Sequence, residues 1–169
     1  MPQKTENKRI RNSFGMCHHN PGTKLQLEYK KYTLDYSREF FLFDIIPMGG
    51  VRMTQRDRIF LNPDHEDPKK RQRKSVTEYF AFKNKLSDQA LAMNFVLGKH
   101  LDAVYFIPMP ASWSEKKKLR MNGFPCEVKP DADNITKAVK DTLKINDSDV
   151  WWEKAEKRWA YKGSILIFG

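Results

Sequence analysis

The sequence predicts an α/β (α+β) domain: a mixed sheet covered by one long packing helix, with a shorter helix whose entrance carries an Asp-x-Asp pair. Three observations predict it. Aromatic and β-branched residues from Glu39 to Ile46 read as a buried strand. Val76, Tyr79, Phe80, Leu86, Ala90, Met93 and Leu97 recur at steps of three and four, one apolar helical stripe over roughly residues 70–97. Leu101 to Met109, closed by Pro108 and Pro110, reads as a second buried strand. Strand, helix, strand in that order is the pattern of a sheet with helices on it.

A chain of 169 residues suits one domain with a real core. Residues 1–37 read as a basic N-terminal extension, partly disordered and ending in a strand, and residues 38–169 as the folded domain. Lys and Arg number 31 against 21 Asp and Glu, a net charge of +10 and a pI near 9.6. That balance suits a polyanion, and with no basic amphipathic helix to lie on a membrane the expected partner is nucleic acid. The longest apolar run, Phe40 to Met48, is broken by Asp44 and falls short of the ~20 residues of a membrane span. Cys17 and Cys126 are too few for a disulfide framework, and the first residues lack the apolar stretch of a secretory signal, so a cytoplasmic location is expected. Cys17-His18-His19 suggests zinc, but no second Cys/His pair at ligand spacing accompanies it, and an ordinary polar loop explains it as well.

Pro47 and Gly49-Gly50 stop the first strand. Val51 to Arg58 then carries Arg52 and Arg56 into Ile59-Phe60-Leu61, a candidate short strand. Arginines at a glycine-rich strand end suit phosphate, because a guanidinium forks onto its oxygens; a solvated hairpin has the same composition. The next loop ends in Lys69, Lys70 and Arg71, further candidates for the DNA backbone, and Gly98 is a plausible C-cap for the long helix. Ser112-x-x-Glu115 reads as a capping box opening a short helix that bears Lys116, Lys117, Lys118 and Arg120 and ends at Asn122-Gly123. Those four cations are either a solvated face or a grip on DNA.

From Asp131 to Lys144 a helix is expected, with Ile135, Ala138, Val139, Thr142 and Leu143 on its buried stripe and Asp133, Lys137 and Asp141 on the other face. Asp131 and Asp133 can cap the helix and pair with Lys137, or hold a divalent cation. A calcium loop is excluded, since Ile135 and Thr136 stand where an oxygen ligand and a glycine are needed. Asn146-Asp147-Ser148-Asp149 adds carboxylates in a loop after the helix. Val150 to Tyr161, a turn at Lys162-Gly163, and Ser164 to Phe168 read as a closing hairpin. In it Trp151, Trp152 and Trp159 stack on bases or pack in the sheet or a dimer interface, and Lys154, Lys157, Arg158 and Lys162 are phosphate contacts or a solvated face.

Ile107-Pro108-Met109-Pro110-x-Ser112-Trp113-Ser114-x-Lys116-Lys117-Lys118, then Lys129-Pro130-Asp131-Ala132-Asp133-Asn134-Ile135-x-Lys137, then Asp147-Ser148-x-Val150, together resemble the RusA family of Holliday junction resolvases, its phage members especially. The likeness spans about Phe40 to Phe168. It implies a homodimeric, Mg2+-dependent endonuclease of mixed α/β fold, with Mn2+ able to substitute and no small-molecule cofactor. Such an enzyme cuts a four-way DNA junction symmetrically in recombination and repair, in the cytoplasm of a bacterial or phage-infected cell. Residue by residue, Asp131, Asp133 and Asp147 match the family's metal-binding aspartates and Lys137 its catalytic lysine. The chain departs from the family in reading Asn146-Asp147-Ser148-Asp149-Val150 where members often have Asp-Asp-Ser-Gln-Val, and in a helix-to-loop connection that is shorter and lacks a glycine. Asp149 therefore stands as an alternative third ligand. Hard carboxylate oxygens suit Mg2+, and a lysine beside them suits charge developing on a phosphodiester. The competing class is a non-catalytic branched-DNA-binding protein on the same scaffold.

Overall fold

The hydrophobic periodicities resolve into an α+β fold with a mixed sheet. A computed structural model of the protein describes residues 39–59, 64–67, 72–143 and 149–168. These all fall in one compact unit; the extension expected over residues 1–37, with Cys17, His18 and His19, lies outside them. In order, the elements are β1 (Phe40–Phe43), α1 (Gln55–Ile59), α2 (Lys74–Ala92), β2 (His100–Pro108), α3 (Glu115–Met121), α4 (Ala132–Thr142), β3 (Trp152–Ala160) and β4 (Ser164–Phe168).

The sheet order is β1-β4-β2-β3. β2 and β3 are parallel, His100 opposite Trp152 through to Pro108 opposite Ala160, while β4 runs antiparallel to both β2 and β1. Three strands, β1, β2 and β3, therefore point the same way and end at one edge. The expected hairpin of β3 with β4 is not formed, because β2 lies between them. The short connection at Tyr161–Gly163 passes over the end of β2, and it fits closely: a Cβ at Gly163 would lie 2.8 Å from Ile46 Cγ1. Periodicity reports which residues face the core but not which strand is the neighbour, so a three-residue link resembled a hairpin loop.

Alternate residues of each strand divide between the two faces of the sheet. Phe43, Leu101, Ala103, Tyr105, Ile107, Ile165 and Ile167 form the main core with Tyr79, Phe82, Leu86 and Ala90 of α2 and Ile135, Ala138 and Val139 of α4. Phe82 takes the buried place expected of Phe80, which is half-buried. Val104, Leu166 and Phe168 form a second, smaller cluster on the opposite face.

Several boundaries differ from expectation for local reasons. Of the candidate strand Ile59-Phe60-Leu61, Ile59 closes a helix and the other two lie outside the described residues; that helix is started by a reciprocal cap, in which Thr54 N–H donates to Asp57 Oδ2 (2.8 Å) and Asp57 N–H to Thr54 Oγ1 (3.3 Å). α2 ends at Ala92, not near Leu97. Asn94 adopts φ 50°, its N–H donates to Leu91 O (3.1 Å), and Phe95 N–H donates to Ala90 O (2.8 Å). This asparagine-closed Schellman turn supplants Gly98 as the stop signal, since asparagine tolerates the left-handed region. α3 is capped by Ser114, whose Oγ accepts from Lys117 N–H (3.3 Å), rather than by Ser112.

Candidate active site

The residues around the Asp-x-Asp pair gather where β1, β2 and β3 end. Ligand sites in sheets with parallel strands favour that edge, because the chain leaves the strands there in loops free to carry polar groups. α4 descends from it. Pro130, just before the helix, is held by Lys157 of β3, and Lys140 near its other end pairs with Glu153 of β3 (3.0 Å). The helix is thus antiparallel to β3, with its N-terminus at the edge.

Burial of Ile135, Ala138 and Val139 seats α4 on the sheet, each of the larger pair contributing on the order of 1.5–3 kcal/mol. A hydroxyl chain fixes its first turn: Thr136 Oγ1 lies 2.9 Å from Ala132 O and 2.8 Å from the buried Tyr105 hydroxyl of β2. Asp131 is the N-cap residue by backbone geometry, φ −70° and ψ 152°, and its carbonyl accepts from Ile135 N–H (3.1 Å). Its carboxylate makes no capping bond. Asp131, Asp133 and Lys137 are all exposed, and their side chains have no hydrogen-bond or ion-pair partner among the described residues. Neither the cap nor the Asp133–Lys137 ion pair that would account for them structurally is present.

The loop after β1 closes on this entrance. Gly50 N–H donates to Asn134 O (3.2 Å), and a Cβ at Gly49 would lie 2.6 Å from Asn134 Nδ2 and 2.9 Å from Pro130 Cβ. Glycine is required there by close approach. The exposed Arg52 and Arg56 follow on the same segment, which is secured by the buried Asp57. Asp57 accepts from Arg73 Nε (2.8 Å) and from Thr54, and Arg73 also donates to Arg52 O (3.0 Å). The hydrogen bonds from Arg73, with that from the Thr54 backbone, hold the Asp57 carboxyl well below the usual carboxylate range and raise the Arg73 guanidinium in turn.

From α3 the chain reaches the acids along the outer edge of β3: Gly123 N–H donates to Trp159 O (2.8 Å), Trp159 N–H to Phe124 O (2.9 Å), and Cys126 N–H to Lys157 O (3.0 Å). Trp113 packs on the buried Trp159 with ring centroids 4.9 Å apart, and Lys117 Nζ sits 3.8 Å from the Trp113 centroid. Lys116, Lys117 and Arg120 are exposed, whereas Lys118 is largely covered and paired with Glu115 (2.9 Å).

Other candidates lie elsewhere. Asp147, Lys69, Lys70 and Arg71 fall outside the described residues. Asp149 is exposed just before β3, at the opposite end of α4 from Asp131. Trp151 and Trp152 are exposed beside His100 at that same distant end, with Trp151 edge-on to the imidazole at 4.6 Å. The cations of β3 and of the turn after it are already engaged: Lys154 and Arg158 pair with Glu156, Lys162 with Asp44 (2.7 Å), and Lys157 with backbone carbonyls. For Glu156, burial pushes the carboxyl up, but the hydrogen bonds from Arg158 and Lys154 win and its pKa is lowered.

Residues 55–168 match the family model for the endodeoxyribonuclease RusA. The chain belongs to the RusA family. The match takes in every residue of the Asp-x-Asp entrance, and begins after the Gly49–Gly50 loop that packs on it. Comparisons with curated proteins and with solved structures return no match. RusA membership makes this chain a DNA nuclease by family, and among its described residues no helix is long and apolar enough to cross a membrane.

The donor set fits the divalent metal that nucleases of this kind use. Two exposed carboxylates, without a partner among the described residues, offer hard oxygens at this edge, and Mg2+ binds through one or two carboxylates, retaining waters and taking substrate phosphate. No group of three or more possible ligands occurs among the described residues, and Asp147 is not one of them. Asn134, Gly49 and Lys157 were not singled out for this site from sequence. Asn134 and Gly49 sat in segments already marked, but Lys157 looked like one more cation on a strand.

Proposed function

We propose that the protein is a Mg2+-dependent, structure-specific endonuclease that resolves Holliday junctions and related branched DNA by symmetric phosphodiester hydrolysis, as a homodimer, in recombination and repair. The observation that carries the reading is the pair of exposed carboxylates Asp131 and Asp133, the second one helical turn from Lys137, all three without a side-chain partner among the described residues, in a RusA chain. Asp131 and Asp133 would hold the metal; activation of a water and neutralisation of phosphodiester charge are the chemistry Mg2+ supplies when bound. Lys137 stabilises the negative charge that grows on the phosphoryl oxygens during attack. Arg52 and Arg56 from the glycine loop, and Lys116, Lys117 and Arg120 from α3, grip the backbone on either side.

Asp147, or Asp149 as its alternative, would supply the third carboxylate. Symmetric cleavage asks for two sites on one junction, which favours a homodimer.

Cleavage of synthetic four-way junction, flap and duplex DNA across a Mg2+ titration tests the reading. Asp131→Asn and Asp133→Asn should abolish cleavage while leaving junction binding nearly intact. Asp147→Asn should lose cleavage likewise, whereas Asp149→Asn should retain it. Normal turnover by the Asp131 or Asp133 variant refutes the metal role, and normal turnover by Asp147→Asn with loss in Asp149→Asn moves the third ligand to Asp149. Tight junction binding without cleavage by the wild-type chain at any metal concentration would favour the non-catalytic alternative.

A further inference from the structure

We infer that Lys157 is a positioning residue for the acidic entrance, a clamp that holds the backbone leading into Asp131. The inference rests on the metal-centred reading above. Lys157 Nζ donates to Val128 O and to Pro130 O (2.8 Å), the carbonyls on either side of Lys129. Its own carbonyl accepts from Cys126 N–H, so one residue of β3 secures the segment from Cys126 to Pro130 by both main chain and side chain. Lys157 pairs in register with Tyr105 of β2, whose hydroxyl meets Thr136 in the first turns of α4. One rung of the sheet thus fixes the helix through Tyr105 and the loop entering it through Lys157. Asp131 sits between those two anchors, and Asp133 two residues further on.

An ammonium carries three donors and no acceptor, which suits the Val128 and Pro130 carbonyls, to which no backbone N–H donates among the described residues. Residues 127–131 have no place in helix or strand, and Val128, Lys129 and Asp131 are exposed. Without the clamp the Asp131 carboxylate would sample positions away from Asp133. Residues behind metal-binding side chains act this way, and their loss typically weakens metal binding by roughly 10–100-fold. Lys157 touches neither substrate nor reacting atoms in this role; a phosphate-binding role would instead move DNA affinity and its salt dependence.

The test compares the full-length wild type with Lys157→Gln and Lys157→Arg. The expected results for Lys157→Gln are Mn2+ affinity, read by electron paramagnetic resonance, about 10-fold weaker, faster amide hydrogen exchange over residues 131–135, and a correspondingly higher Mg2+ requirement for single-turnover junction cleavage. Lys157→Arg keeps the charge and several donors and should recover most of each. Thermal melting of the three proteins identifies any general loss of fold. Unchanged exchange at residues 131–135 in a folded Lys157→Gln overturns the clamp, as does wild-type Mn2+ affinity accompanied only by weaker, less salt-sensitive DNA binding. If the wild type itself binds no Mn2+, the metal reading fails, and the exchange measurement still decides whether Lys157 holds the loop.

Discussion

The hydroxyl chain under α4 makes a quantitative prediction about two residues that touch no substrate. Ala132 O can only accept, so the single Thr136 hydroxyl proton is directed to it at 2.9 Å, and the buried Tyr105 hydroxyl must then donate to Thr136 Oγ1 at 2.8 Å. Burial, outweighing the hydrogen bond to Thr136, pushes the Tyr105 phenol well above its ordinary pKa, so it remains a donor throughout the pH range of any assay. The two partners are consequently not equivalent. Tyr105→Phe removes one hydrogen bond but strands no donor, a loss of about 1 kcal/mol. Thr136→Val keeps the side-chain shape but leaves a buried O–H with no acceptor, a loss of about 2–3 kcal/mol. The double variant removes donor and acceptor together and should cost little more than Tyr105→Phe alone, a coupling of about 2 kcal/mol. Urea denaturation of the four proteins without DNA measures all three quantities. Additive single effects, or Tyr105→Phe proving more damaging than Thr136→Val, would refute the assigned proton direction.

Three further outcomes follow from the same structure. Gly49→Ala should lose about 1–3 kcal/mol of stability by overpacking and lose cleavage more steeply than stability, because its Cβ would press on Asn134 and Pro130, which flank Asp131; denaturation and junction cleavage together check this. Lys116→Ala and Arg120→Ala should each weaken junction binding and flatten its log–log salt dependence by about 0.9 for every phosphate left without its cation, measured by titration at several salt concentrations. The folded-state pKa of Asp57 is depressed, so its stabilisation is fully present above the ordinary carboxylate pKa of about 4 and is lost as pH falls below it. Asp57→Asn should therefore be less stable at neutral pH and show a shallower loss of stability on acidification; an unchanged acid limb would refute the coupling to Arg73.

How legible the chain was depended on whether the deciding interaction was local. The α4 stripe, the strand at β2 and the Asp-x-Asp entrance were legible because each is a pattern within ten or so residues of one segment. Ser112 drew the expected cap because Glu115 stands three residues on, the capping-box spacing, whereas Lys117 stands at that place after Ser114 and the cap there is made by its backbone N–H alone. Asn94 ended the long helix four residues before Gly98, since an asparagine signal is weaker than a glycine one. Lys157 was illegible for a different reason: its ligands lie 27 and 29 residues away, and nothing in Glu156-Lys157-Arg158 distinguishes a cation facing carbonyls from one facing a carboxylate.

Strand direction connects these particulars. Because β1, β2 and β3 are parallel to one another, the loop after β1 delivers Gly49 and the arginines, the chain leaving β2 delivers α3, and β3 delivers Lys157 to one edge, where α4 begins. The same arrangement sends the C-terminus of α4 away from that edge, since a helix linking parallel strands must return to where the next strand starts. A shorter α4 would bury less of Ile135 and Val139, whose packing on the sheet holds the N-terminus of the helix at that edge. Under the proposed function, symmetric cleavage asks for two such edges on one junction, and catalysis should then depend on protein concentration across the dimer dissociation range while the fold of each chain does not.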